Sequence, residues 1–120
     1  MSTIAFKLDG LSPIEYFKKH VEIVSLFLPW EITPTEIIVL ANFMALKGDI
    51  VTDDRFCTSA RKQIRAKLKM SPGGLGNHLR KLKDNNYVKE DDNGKLTINP
   101  YVIPDNTKFQ SYQFQIVSDE

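Results

Sequence analysis

Apolar residues recur along this chain at several spacings, and each spacing predicts its own kind of element. Ile4, Phe6 and Leu8 alternate with polar neighbours, as in a half-buried strand. Ile14, Phe17, Val21, Val24 and Leu28 then follow at helical spacing behind a start signal. Ser12 can accept from the first N–H groups, Pro13 suits the first helical position, and Glu15 can reach back to Ser12. The predicted helix runs from Pro13 to Leu28 and stops before Pro29, with Trp30 packing at the next junction. Thr33-Pro34-Thr35-Glu36 repeats the start signal. Ile37, Leu40, Ala41 and Met44 line one face of this second helix, and Gly48 supplies its stop.

Asp49 to Asp54 reads as a polar connection, in which Ile50-Val51 is a candidate short strand. Phe56, Ala60, Ile64 and Leu68 at four-residue spacing predict a third helix from about Arg55 to Lys69. A fourth begins at Ser71-Pro72, places Leu75, Leu79 and Leu82 on one face, and ends near Asn85-Asn86. Tyr87-Val88-Lys89-Glu90 and Lys95-Leu96-Thr97-Ile98 are short strand patterns. Between them Asp91-Asp92-Asn93-Gly94 carries the Asn-Gly signal of a tight turn. Pro104-Asp105-Asn106 marks another turn, and Tyr112, Phe114 and Ile116 alternate as a last strand. The expected class is mainly α with a small β hairpin, α+β. Three segments follow: a strand and helix over 1–31, a central domain over 32–100, and a turn and strand over 101–120.

Length and composition narrow the class. The 120 residues suit one domain, and 42% apolar with 26% charged residues excludes a disordered or fibrous chain. No apolar run reaches the roughly 20 residues needed to span a bilayer, so no membrane partner is expected. The amino terminus lacks the basic-then-apolar order of a secretory signal. The single cysteine, Cys57, excludes an internal disulfide and a multi-cysteine zinc site, and a reducing cytoplasm is the expected setting.

Charge distribution changes the picture more. The net charge is +1, yet Arg61 to Lys83 holds eight basic residues and no Asp or Glu. That leaves eight basic residues against all fifteen acids elsewhere, a balance of −7. A solvated helical face is one reading of such a segment. An anionic partner, nucleic acid first, is the other.

From Thr33 to Ile98 the order is helix, connection, helix, tight turn, helix, hairpin. Ile64 and Leu68 face inward from the first helix of the pair, Met70 plugs the turn, and Leu75, Leu79 and Leu82 anchor the second. This arrangement resembles a winged helix-turn-helix domain, with the hairpin as the β wing. Ile32-Thr33-Pro34-Thr35-Glu36-Ile37-Ile38-Val39-Leu40 is similar to the helix preceding that motif in MarR-type transcription regulators. Gly94-Lys95-Leu96-Thr97-Ile98-Asn99-Pro100 is similar to winged-helix replication initiators of plasmids and phages. The resemblance implies a prokaryotic or phage regulator that binds double-stranded DNA, or a replication initiator. A winged-helix protein-interaction module in a larger assembly is the alternative.

Physics supports the same partner. On a helix from Pro72, the face opposite the leucines contains Gly73, Asn77, Arg80, Lys81 and Asp84. Asn77 suits adenine and Arg80 suits guanine in a major groove; a pair between Arg80 and Asp84 is the bland reading of the arginine. Pro72-Gly73-Gly74-Leu75-Gly76 gives up helix propensity, which fits either close backbone approach to phosphate or close packing on a neighbour. The candidate DNA contacts are Arg61, Lys62 and Arg65 on the preceding helix and Lys69 and Ser71 at the turn. Gly73, Gly74, Asn77, His78, Arg80, Lys81 and Lys83 join them from the recognition helix, and Lys89, Asn93 and Lys95 from the wing.

His78 sits at the edge of the core face, suited to phosphate or to packing, and His20 reads as a surface residue. Cys57 reads as a small packing residue, and Asp53-Asp54 and Asp91-Asp92 as solvated turns. No catalytic, metal or cofactor constellation is visible, so no enzyme is expected. The two terminal strand patterns and the apolar first helix suggest a homodimer, with recognition helices about 34 Å apart on an inverted repeat. Pairing of the two strands within one chain is the rival.

Overall fold

Three of the four helices start in the way their sequences dictate, and the one that follows Cys57 does not. The computed structural model describes residues 10–50, 53–105, 112–113 and 117–118. It contains α1 (Pro13–Ser25), α2 (Pro34–Met44), α3 (Thr58–Leu68), α4 (Pro72–Asp84), β1 (Val88–Glu90), β2 (Leu96–Ile98) and a 3-10 turn, Pro100–Val102. Ser12, Thr33 and Ser71 cap α1, α2 and α4, each accepting from the backbone N–H three residues on, at 3.2, 3.2 and 3.0 Å. Glu15 closes the box on Ser12 N at 3.3 Å, and Glu36 accepts from the Thr33 hydroxyl. Before α3 the cap is Cys57, whose side chain makes no capping bond.

Two helix boundaries differ from expectation. α1 ends at Ser25, not Leu28. Leu26 and Phe27 N–H groups close onto the carbonyls three residues back, Ile23 and Val24, at 3.2 and 3.0 Å. That tighter turn precedes Pro29, which cannot continue the ladder, and it leaves Leu26 and Phe27 exposed at 78% and 64%. α3 begins at Thr58, not Arg55. Arg55 instead turns back on α2 and donates to the carbonyls of Phe43 (3.3 Å), Met44 (3.4 Å), Leu46 and Gly48 (2.7 Å). These carbonyls lie in and just beyond the last turn of α2, where the helix leaves acceptors without partners. Burial lowers the pKa of the guanidinium, against the raising effect of Asp53 and Asp49. Gly48 has φ +107°, and a Cβ there would overlap the Asp53 carboxylate, so the connection depends on glycine.

The core gathers one face from each helix. Phe17 and Val21 of α1, Leu40 and Phe43 of α2, Ile64 of α3, and Leu75, Leu79 and Leu82 of α4 are all buried in one cluster. Phe43 and Phe56 stack at 4.6 Å between ring centroids. His20 belongs to this interior as well. It is 4% exposed, not a surface residue, because Tyr112 stacks on it.

Asparagines set the hairpin on the helices. Asn86 takes a left-handed φ of +69° after α4, and its N–H and that of Tyr87 return to Lys83 and Leu82 carbonyls at 3.1 and 2.9 Å. Asn99 Nδ2 donates to Asn86 O at 2.7 Å, and the Tyr87 hydroxyl to Trp30 O at 2.7 Å. β1 and β2 pair antiparallel, Val88 with Ile98, Lys89 with Thr97 and Glu90 with Leu96. Their turn is longer than the two-residue Asn-Gly form. Gly94 N bonds to Asp91 O at 3.0 Å with Gly94 at φ +79°, and Asp91 Oδ1 accepts from both Asn93 N and Lys95 N at 2.9 Å.

The described residues are thus mainly helical with one small two-stranded antiparallel sheet. None of the described helices is long and apolar enough to cross a membrane. The strand patterns at Ile4 to Leu8 and at Phe114 and Ile116, and Val51 of the Ile50-Val51 pair, lie outside the described residues.

Candidate nucleic-acid interface

Three residues, Lys69, Met70 and Ser71, join α3 to α4. Lys69 adopts φ +55°, and the N–H groups of Lys69 and Met70 both close onto Arg65 O. This left-handed residue reverses the chain; Met70 then packs against the core and Ser71 caps α4. Lys69 and Ser71 are both exposed at that turn.

α4 is buried along Leu75, Leu79 and Leu82 and exposed along Gly73, Gly76, Asn77, Arg80, Lys81 and Asp84. Arg80 and Asp84 form no ion pair, so the arginine is not tied to its helical neighbour. A Cβ at Gly73 or Gly76 would meet no atom within 4 Å, whereas one at Gly74 would stand 3.1 Å from Ser71 Oγ. Packing within the chain therefore requires neither Gly73 nor Gly76.

A groove of about 550 Å³ runs between α3 and the hairpin. Arg61 and Arg65 of α3 line one side, and Asn93, Gly94 and Lys95 of the turn line the other. Arg61 Nε donates to Phe56 O at 2.7 Å, which braces the side chain against the start of α3. Its two Nη groups make no hydrogen bond among the described residues. Cys57 also lines this groove, and the Ser59 hydroxyl 3.4 Å from Sγ holds its thiol below the ordinary value, helped by the Ala60 N–H. Asp54 is the acid in the groove.

The remaining candidates are spread around this centre. Lys62 and Lys89 are exposed on α3 and β1. Lys81 borders a second cleft with Trp30, Glu31 and Thr33. Lys83 pairs with Glu90 across to β1 at 3.0 Å and is engaged within the protein. His78 is a quarter exposed, with Nδ1 3.9 Å from the buried Glu36 carboxylate, and so faces α2.

In the sequence Glu36 reads only as a helix-start residue, whereas in the fold its carboxylate lies against His78 of α4. Its one signal was the unusual strength of the Thr33-Pro34-Thr35-Glu36 start. The four-residue spacing starts the third helix at Arg55 and so hides Cys57, which stands just before α3 and lines the groove beside Thr58. Comparison of the chain with family models, with curated proteins and with solved structures gives no match.

Proposed function

We propose that this chain is a DNA-binding protein of winged helix-turn-helix type, a prokaryotic or phage regulator that acts by occupying duplex DNA. In this reading α4 enters the major groove, with Asn77 and Arg80 facing base edges. α3 and the β wing lie along the phosphate backbone. The observation that carries the reading is the groove in which Arg61 and Arg65 of α3 converge with Lys95 of the hairpin turn. The exposed glycines support it. Gly73 and Gly76 each cost about 1 kcal/mol of helix propensity relative to alanine with no packing return inside the protein, which fits close approach of a partner's backbone.

Few side chains are left to read bases, so affinity rests mainly on phosphate contacts. If Arg61, Lys62, Arg65, Lys69 and Lys95 each neutralise one phosphate, the logarithm of the affinity falls against that of salt with a slope of about −4 to −5. Mobility shifts on duplex DNA at several salt concentrations test this. Absence of binding at low salt would favour the second reading, a protein-interaction module, for which the exposed Leu26, Phe27 and Tyr101 speak. A replication initiator shares the DNA chemistry of the first reading and differs only in what the bound protein recruits.

A further inference from the structure

Where α4 meets α2, an acid and an imidazole face each other without a bond. Glu36, the one titratable side chain of α2, is buried, and among the described residues no lysine or arginine pairs with it. Its carboxylate accepts from the Thr33 hydroxyl, and His78 Nδ1 stands 3.9 Å from Oε2. That separation is too long for a hydrogen bond, and Nδ1 is enclosed with no other partner. A buried carboxylate without a cation is costly, and so is an enclosed ring nitrogen without a bond.

His78 lies at the edge of α4, between the buried leucines and the exposed Asn77 and Lys81. Its side chain is a quarter exposed. Because Nδ1 is enclosed, the opening is on the rest of the ring, where Nε2 makes no hydrogen bond among the described residues. A helix seated in a major groove presents its centre to base edges and its flanks to the phosphates on either side. In the DNA reading the open edge of His78, one turn from Lys81, therefore meets a phosphate. An imidazole between two acceptors satisfies both only with a proton on each nitrogen. A neutral ring turns a lone pair toward one of them.

The other charges around α4 do not pair with either group among the described residues. Glu90 of β1 is held by Lys83, and Lys89 and Lys62 are exposed. α3 turns Arg61 and Arg65 to the basic groove and Lys67 to a cleft beside α1. Glu31, before α2, lines the cleft that Glu36 shares with Lys81.

We propose that this chain takes up a proton at His78 when it binds duplex DNA, with Glu36 as the positioning residue that aims the imidazolium at a phosphate. Nδ1–H closes on Glu36 as a charge-assisted bond of about 2.8 Å, and Nε2–H donates to the phosphate. The inference rests on the DNA reading and adds a regulation to it. Anion and proton favour each other's binding, so affinity rises as pH falls through the imidazole range.

The test is the DNA affinity of the full-length chain between about pH 8 and pH 6 at fixed ionic strength, with circular dichroism confirming the fold at each pH. Wild type is expected to bind about tenfold tighter at the acid end. His78→Gln is expected to bind alike at both ends. Glu36→Gln, which keeps a capping side chain, is expected to retain at most about threefold. Cys57 also titrates in the DNA groove, so each comparison is repeated in Cys57→Ser, where the His78 dependence is expected to persist. The imidazole nitrogen signals of His78 at about pH 6.5 should move toward the doubly protonated form when DNA is added, and those of His20, the only other histidine, should not. If a variant does not fold, these signals in the wild type decide. No binding at low salt at any pH overturns the DNA reading and this inference with it. Binding that is flat in pH, a dependence that survives in His78→Gln or in full in Glu36→Gln, or His78 signals that DNA leaves in place overturns this inference alone.

Discussion

The imidazole of His20 and the phenol of Tyr112 are stacked at 5.8 Å, with Nδ1 2.6 Å from the hydroxyl although 92 residues separate them in sequence. Burial holds the His20 pKa below the ordinary imidazole value of 6.5, while the Val102 backbone and Asp105 pull the other way. The folded protein therefore keeps His20 neutral where the unfolded chain takes up a proton. Stability from this contact is present above about pH 6.5 and is lost as pH falls below it. Urea midpoints for the wild type should drop between neutral pH and pH 5.5, and His20→Phe should remove that part of the slope. An unchanged slope in His20→Phe would assign the acid sensitivity to other groups.

Tyr112 gives the alkaline counterpart. Burial, with a smaller effect of Tyr16, pushes its phenol from 10.0 up to about 12. A raised folded value means the contribution is full below about pH 10 and is lost as pH climbs through 12. Tyr112→Phe should cost about 1 kcal/mol near neutral pH, the usual net worth of one hydrogen bond. It should also flatten the decline in stability above pH 10, followed by denaturant midpoints at increasing pH.

Gly73→Ala and Gly76→Ala should move stability and DNA binding in opposite directions. Both positions are helical and open, so each alanine should stabilise the fold by up to about 1 kcal/mol. If α4 lies against a phosphate backbone, the added methyls should weaken DNA binding while thermal midpoints rise. Stabilised variants that bind DNA as tightly as wild type would remove the glycines from the interface.

Phosphate and base contacts separate by their dependence on sequence and salt. Lys62→Ala and Arg65→Ala should weaken binding about equally on all DNA sequences and reduce the salt slope by about 1 each. Arg61→Ala should do the same, with some loss of stability because its Nε bond to Phe56 O goes too. Arg80→Ala should instead relax preference at one base pair, costing about 1–3 kcal/mol on the preferred site alone. Equal losses on preferred and random DNA would make Arg80 a phosphate contact.

Local signals made most of the helices readable. Ser12, Thr33 and Ser71 each stand before a proline, and each caps a helix as that pairing implies. The leucines of α4 are all buried, and the residues assigned to its opposite face are all exposed. What the sequence hid was tertiary. Arg55 fits the polar start of a helix equally well, and only the carbonyls of α2 call it elsewhere. His20 looks like a surface residue on its own helix and is buried by a tyrosine from the far end of the chain. Asn99 gave no sign of bridging to Asn86, a contact across 13 residues that seats the hairpin. The expectation of a homodimer drew on strands at both ends, most of which lie outside the described residues. Tyr112, which is described, packs on the α1 of its own chain.

Cys57 offers a direct footprint of the proposed interface. Its thiol lines the groove that Arg61, Arg65 and Lys95 share, and the Ser59 hydroxyl and Ala60 N–H favour its thiolate. A thiolate is the form that alkylating agents attack, so reaction with iodoacetamide should rise toward its plateau at a pH below the ordinary thiol value of 9.0. Ser59→Ala removes the first of those donors and should move that profile upward without unfolding the chain. Saturating duplex DNA at low salt should then slow alkylation in the wild type, because phosphates seated between α3 and the hairpin cover Cys57. Added salt should restore the rate along the same curve that releases DNA. Alkylation at the same rate with DNA fully bound would place the duplex elsewhere and remove the α3–hairpin groove from the interface, whatever the affinity.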